Sequence, residues 1–568
     1  MIKKALNRIF PAFIFTILLS VFTVFPCYSG PSQERDPRGT EQTRQQPPSG
    51  LVEELRSLTE TGRLSSMLQA LELIRSRELG GTEFGRIVTA INVSLINRVY
   101  PDSPARLPAV DLPQTHSYSQ ILREAERGNY VRPAPNSDDF FEHILPFLAV
   151  NERTRPEALA DVLRDLSKAA ELRPDSVLPF YFQGIIHERA GRYTQAEAAY
   201  RRAYQISDEC YPAMAGVARI RRLTGNPREA ASILSDLMIR HPDSSIIKRE
   251  LAITHYQNRD WARALAITDE ILLSEPRDEE LLLIKAHSLI EMGRFAQANE
   301  PLDIYASINS NNRDYLFYRA RVQAEGGRNR DSALNYLRSI LRTNPNDAEV
   351  LIYAASLLME SPRPADQQEG RELLNRLQRV SGSSIDVLTL SLQDAVHREN
   401  WQEAQGYLNR ILAVRRTASD LTNAYYVERG LRNNARALTY ARELYDRDPS
   451  NNDYAIIYIS ALIDNGRRDE ASRLIESRLN SSTGSTKSQF YFLRSRLQSN
   501  EEAALNDLRS SIFEDPRNLD ALISMFEIYH RRREERRAVY YLRQALAIAP
   551  DNPRLQRYER EYSALLER

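Results

Sequence analysis

At 568 residues the chain exceeds what one ordinary globular core holds, so several domains or a repeat array are expected. A composition of 42% hydrophobic and 27% charged residues excludes a disordered chain, and 76 basic against 76 acidic residues exclude a global field drawing it onto nucleic acid. Two cysteines, Cys27 and Cys210, exclude a disulfide framework and a structural zinc site.

Residues 1–29 read as a signal peptide. Lys3, Lys4 and Arg8 precede a mostly apolar run from Ile9 to Phe25, shorter than a comfortable membrane span and suited to an export signal. Cys27 and Ser29 are small enough to flank a cleavage after Ser29. The competing reading makes Cys27 a lipidated residue, against which Pro26 stands. Residues 30–50 are polar, with Pro47 and Pro48, and read as a disordered linker. Residues 51–140 have helical periodicity in Leu68, Leu71, Ile74 and again in Ile87, Ala90, Ile91, Ile96, but no repeat. They are expected to cap the first exposed face of the repeat that begins at 141.

From residue 141 onward a beat of about 34 residues runs to the C-terminus, a period that marks stacked helix pairs. Ala196, Ala230, Ala264 and Ala298 keep it, Ala333 comes next, and the series resumes at Ala404, Ala437, Ala471, Ala504 and Ala538. A second set of small residues runs through Gly184, Ala218, Ala252, Ala286, Ala320 and Ala355. Small side chains at fixed spacing mark where two helix backbones cross closely. Proline closes many units, at Pro174, Pro242, Pro276, Pro345, Pro449, Pro516 and Pro550, and Gly191, Gly225, Gly293 and Gly466 fall where the first helix turns into the second. The pattern blurs between 362 and 392.

This pattern resembles the tetratricopeptide repeat family, with Tyr193, Trp261, Phe295 and Trp401 at the positions where that family places aromatics. The resemblance implies an all-α, right-handed superhelical solenoid of about twelve helix–turn–helix units. It also implies a groove lined by first helices that binds other proteins. Inward positions would be Tyr181, Arg219, Arg222, Arg249, Tyr256, His287, Phe317 and Arg321, a basic and aromatic set. Farther on, inward positions such as Glu349, Asp386, Asp453 and Asp464 are acidic or apolar, an asymmetry that would orient a charged ligand. The Lys and Asn with which some family members grip a terminal carboxylate are absent from these positions.

No phosphate loop, nucleophile elbow or zinc-protease helix is present, so no enzyme activity and no cofactor or metal is expected. His187, His255 and His287, assigned to three neighbouring first helices, read as packing or groove residues. The Arg531–Arg533 run, interleaved with Glu534 and Glu535, reads as a solvated turn. Signal and resemblance together imply an exported scaffold of the bacterial cell envelope, periplasmic or outer-membrane-associated, and lipid-anchored in the competing reading of Cys27. The rivals are a chaperone-like receptor for extended or terminal peptides, and an enzyme with an unrecognised site in 51–140.

Overall fold

The computed structural model describes residues 47–550 and 552–562. The signal, the cleavage position and Cys27 lie outside the described residues. Among those described there are 29 α-helices and no strand. By contacts the chain forms two compact units, divided between Tyr336 and Leu337.

The first unit opens with α1 (Ser49–Glu60), α2 (Leu64–Ser76), α3 (Glu83–Val99), α4 (Ser117–Glu126), α5 (Phe140–Ile144) and α6 (Pro156–Leu172). Helix pairs then succeed one another: α7 and α8 (Leu178–Arg189, Tyr193–Ile206), α9 and α10 (Tyr211–Leu223, Pro227–Arg240), α11 and α12 (Ser245–Gln257, Trp261–Ser274). Next come α13 and α14 (Glu279–Glu291, Phe295–Asn309), then α15 (Arg313–Arg321) and α16 (Arg330–Thr343). The second unit continues with α17 and α18 (Ala348–Met359, Pro364–Ser381), α19 and α20 (Ile385–His397, Trp401–Leu412), α21 and α22 (Ala418–Gly430, Asn434–Arg447). It ends with α23 and α24 (Asn452–Asp464, Arg468–Leu479), α25 and α26 (Gly484–Ser495, Glu501–Glu514), α27 and α28 (Leu519–Arg531, Glu535–Ile548) and α29 (Pro553–Glu561). The pairs from α7–α8 to α13–α14 in the first unit, and from α17–α18 to α27–α28 in the second, each pack on themselves and on the next within the unit, the stacking of a helical solenoid.

Local chemistry sets the boundaries. The left-handed residue after a first helix is Gly191, Gly225, Gly293 or Gly466, as expected, but elsewhere Arg259, Arg328, Glu399, Arg432 and Arg533 hold that conformation. The amide after it bonds back to a carbonyl five residues earlier, as in Arg192 to His187 at 2.8 Å and Asn433 to Glu428 at 2.8 Å, and six residues earlier after Arg328, from Asn329 to Gln323. Seven first helices start on side-chain caps, at Ser244, Asp278, Asn312, Asp347, Thr417, Asn451 and Asn518. Each proline expected to close a unit stands two residues beyond the end of a second helix, or of α6 in the case of Pro174.

The small residues are buried where the helices cross, Ala196, Ala230, Ala264 and Ala298 being fully so. Ala504 departs from this: it is part-exposed, and Leu505 and Leu508 of the same helix take the core. The blurred stretch 362–392 holds α18 and the first half of α19, with Gly370 as the small residue of α18; a Cβ there would lie 2.8 Å from the Met359 side chain.

Residues 51–140 reach farther than the end of the repeat. Thr61 O accepts from Val177 N at 3.0 Å beside α7, and Tyr100 packs its ring 6.3 Å from that of Tyr211 at the start of α9. Asp102 accepts from Ser244 Oγ at 2.7 Å and Ile246 N at 3.1 Å at the start of α11. One continuous core accordingly runs from Met67 to Leu251.

Candidate partner-binding face

Every residue expected to line the groove is on a first helix: Tyr181 on α7, Arg219 and Arg222 on α9, Arg249 and Tyr256 on α11, His287 on α13, Phe317 and Arg321 on α15. Neighbouring first helices meet along diagonals. A residue faces its counterpart one repeat on and one helical turn back, so contacts recur at steps of 31 residues. Glu188, Arg219 and Glu250 form one such ladder. Arg219 donates to Glu188 through Nε (2.6 Å) and Nη2 (3.0 Å), and through Nη1 to Glu250 Oε1 (2.7 Å). Glu250 Oε2 also accepts from Arg222 Nη2 at 3.0 Å, and Tyr200 OH donates to Glu188 at 2.7 Å.

The Arg222 side chain is 0% exposed, and its Nε and Nη1 have no hydrogen-bond partner among the described residues. Burial pushes the Glu250 carboxyl up, but Arg219 and Arg222 outweigh it and hold it below its ordinary range. Arg249 donates to Glu275 at 2.7 Å and Asp278 at 2.5 Å, while Glu280 stays 3.9 Å away. Burial raises the Glu280 carboxyl to about 7, only partly countered by Arg249.

A second cluster is aromatic. Tyr256 OH meets His287 Nδ1 at 2.6 Å, and His287 stacks on Tyr318 with centroids 4.7 Å apart, again along the diagonal. Trp261 sits 5.6 Å from the His287 ring. Burial holds the imidazole below its ordinary pKa, a cost only partly offset by Glu291. Arg321 bonds Glu291 and Glu325, and Arg313 lies over the Phe317 ring at 5.0 Å. Tyr181 stands apart, its ring 5.9 Å from Tyr200.

This corrects the expectation of a free basic patch. The four arginines meet seven carboxylates, Glu188, Glu250, Glu275, Asp278, Glu280, Glu291 and Glu325, so their charge is spent inside the stack. Of the expected acidic positions, Asp464 lies between Arg429 (3.0 Å) and Arg496 (2.6 Å). The three histidines are not on neighbouring first helices, because α9 lies between His187 on α7 and His255 on α11. The Arg531–Arg533 turn is neutralised, with Arg532 on Glu501 (2.6 Å) and Glu502 (2.9 Å). Among the described residues no group of three or more His, Cys, Asp or Glu is placed to hold a metal. The carboxylate partners were not foreseen from the sequence, where their signal is opposite charge at a spacing of 31.

Stacked helix pairs whose first helices are joined by ion pairs define a helical repeat protein. Family models of the tetratricopeptide repeat match 156–213, 189–253, 225–287 and 314–347, and the remaining pairs repeat the same arrangement. The chain is a tetratricopeptide repeat protein, of a family that is typically non-catalytic and binds other proteins. No curated protein matches it. Among solved structures it is similar to PilF of Pseudomonas aeruginosa, at 18% identity over 35% of this chain and 90% of that one, with a TM-score of 0.32. Yeast Tom70 gives 12% identity over 69% and 89%, with a TM-score of 0.32. PilW, described as a widely conserved type IV pilus biogenesis factor, gives 15% over 38% and 98%, at 0.33. These likenesses carry no further inference.

Proposed function

We propose that this protein is an exported, non-catalytic scaffold of a bacterial cell envelope that takes extended segments of partner proteins along its first helices. The observation that carries the reading is the stack of tetratricopeptide helix pairs itself, whose inner charges are tied down. Between the paired charges the first helices also carry part-open or exposed uncharged side chains, as at Ile185, Leu283, Thr422, Tyr426 and Ile456. A rigid row of apolar and hydroxyl groups suits a partner's side chains without demanding a charged terminus. Export is supported by the basic residues and apolar run at 3–25.

Photo-crosslinking residues placed one at a time at Leu283, Tyr426 and Ile456, with Leu273 and Phe513 on second helices as controls, test the binding face. One recurring envelope partner crosslinked from the first-helix positions and not from the controls is expected. Crosslinks from the controls alone would overturn the assignment. N-terminal sequencing of the protein recovered from the envelope fraction should start at Gly30 or near it; an intact Met1 in the cytoplasm would overturn export.

A further inference from the structure

We propose that the cleft between α18 and α20, floored by α19, is a second binding site, one that reads the main chain of an extended peptide. Its walls are second helices, and none of the positions assigned above lines it. The cleft encloses about 360 Å³ and is lined by Arg371, Asn375, Gln378, Asp394, Glu403 and Tyr407, among others. That volume falls in the range of small-ligand sites, about 300–1,000 Å³.

Its walls are held by a bonded frame. Gln378 Nε2 donates to Ser391 Oγ and to Tyr407 OH, both at 3.0 Å, and Tyr407 OH donates to Glu403 at 3.2 Å. Arg398 spans Asp394 and Glu403, each at 2.9 Å, and Asn400 also holds Glu403 at 2.8 Å. Two groups are left over. Arg371 and Asn375 lie one helical turn apart on α18, on the same face, and neither has a hydrogen-bond or ion-pair partner among the described residues.

Those two groups select a chemistry. Arg371 and Arg398 offset Asp394 and Glu403, so the cleft has no net charge with which to draw an ion. A guanidinium offers donors alone, whereas the Asn375 amide offers donors and an acceptor. A peptide group presents the complement, a carbonyl for Arg371 and both a carbonyl and an N–H for Asn375. The corresponding groove two repeats farther along the chain shows what sets this one apart. There Arg442, Tyr445, Tyr458 and Glu470 replace Asn375, Gln378, Ser391 and Glu403. Tyr445 stacks on Tyr458 at 5.0 Å, and Arg442 donates to Tyr458 OH through Nε and Nη2, so unlike Asn375 it is tied to the wall of its groove.

The test selects short uncharged peptides by display on the full chain, then measures the best of them by calorimetry. Arg371→Ala and Asn375→Ala should each weaken binding at least tenfold with the thermal melt unchanged, and Tyr426→Ala should leave it unaltered. The proposal is overturned if both cleft variants bind as well as wild type, or if no peptide is selected. It is also overturned if a free amino acid such as glutamine displaces the peptide, which would make this a small-molecule site. Loss in Tyr426→Ala alone would place the peptides on the first helices, sinking this proposal and leaving the scaffold reading intact.

Discussion

Tyr200 lies between two glycines, and its ring explains both. A Cβ at Gly184 would come 2.4 Å from a ring carbon, and one at Gly216 would come 2.7 Å from another. Gly184→Ala should therefore cost about 1–3 kcal/mol by overpacking. Gly191 faces open space and needs only its positive φ of 69°, so Gly191→Ala should cost about 1 kcal/mol. Thermal melts of the two variants rank them; the reverse order would mean that the crossing is looser than its distances indicate. Charge is governed by the same packing. Arg219→Ala leaves Glu188 and Glu250 buried without their shared partner and should cost about 3–5 kcal/mol. Glu280 gives a pH signature. Its carboxyl sits at about 7 in the folded chain, above the ordinary unfolded value of about 4.3, so folding favours the protonated form. Its stabilising contribution is complete below the unfolded pKa and is lost as pH rises through about 7. Glu280→Gln should thus gain on wild type between pH 5 and 8, by up to about 3 kcal/mol, in paired denaturant titrations. A constant difference across that range would show that Glu280 titrates normally. The small residues and turn glycines at this scale were legible because each has a steric reason that repeats. The buried pairs were not, since a groove arginine and a stack arginine look alike until the carboxylate 31 residues away is found.

One irregular element shows how the repeat absorbs a change of length. Ala286 to Ala320 keeps the regular beat, but Ala320 to Ala355 and Ala298 to Ala333 each take one residue more. The extra residue falls between Ala320 and Ala333, where α15 passes into a π-helical turn at Val322–Gly326. A π turn is the usual way for a helix to house one inserted residue without shifting what lies beyond it. Deleting Ala324 should therefore leave the chain folded, with a loss below about 1 kcal/mol, whereas deleting Ala266 from the regular α12 should unfold its pair. Circular dichroism and chemical denaturation compare the two; equal damage would mean that the turn serves another purpose. At this scale the sequence became harder to read in the second unit for a packing reason. The slot twelve residues before the second-helix small residue holds Gly184 or Ala in the first unit, but Leu392, Tyr425, Ile459 and Phe526 in the second, all buried. Size alone therefore stops marking the register. The caps at Asp347, Thr417, Asn451 and Asn518 continue into the second unit and mark four of its first helices.

Across the whole molecule, stability is local because each pair leans only on its neighbours. The N-terminal helices break that rule within the first unit. By touching α7 through Thr61, α9 through Tyr100 and α11 through Asp102, they tie three pairs together along one edge. That reach was invisible in the sequence, because 51–140 shares no period with the repeat and nothing in its pattern names Tyr211 or Ser244 as partners. Removal of residues 1–116 should thus raise amide hydrogen exchange in α6 to α11, and most at the first turns of α7, α9 and α11, where Thr61, Tyr100 and Asp102 are lost. Exchange in α17 to α29 should stay as in the intact chain, since the loss of the removed helices is passed on only one neighbour at a time. Mass spectrometry of the exchanged, digested protein resolves these segments separately. A rise confined to α6 and α7 would show that residues 51–140 act only on the end of the stack, whereas a rise running through 337–568 would show that the stack melts as one body.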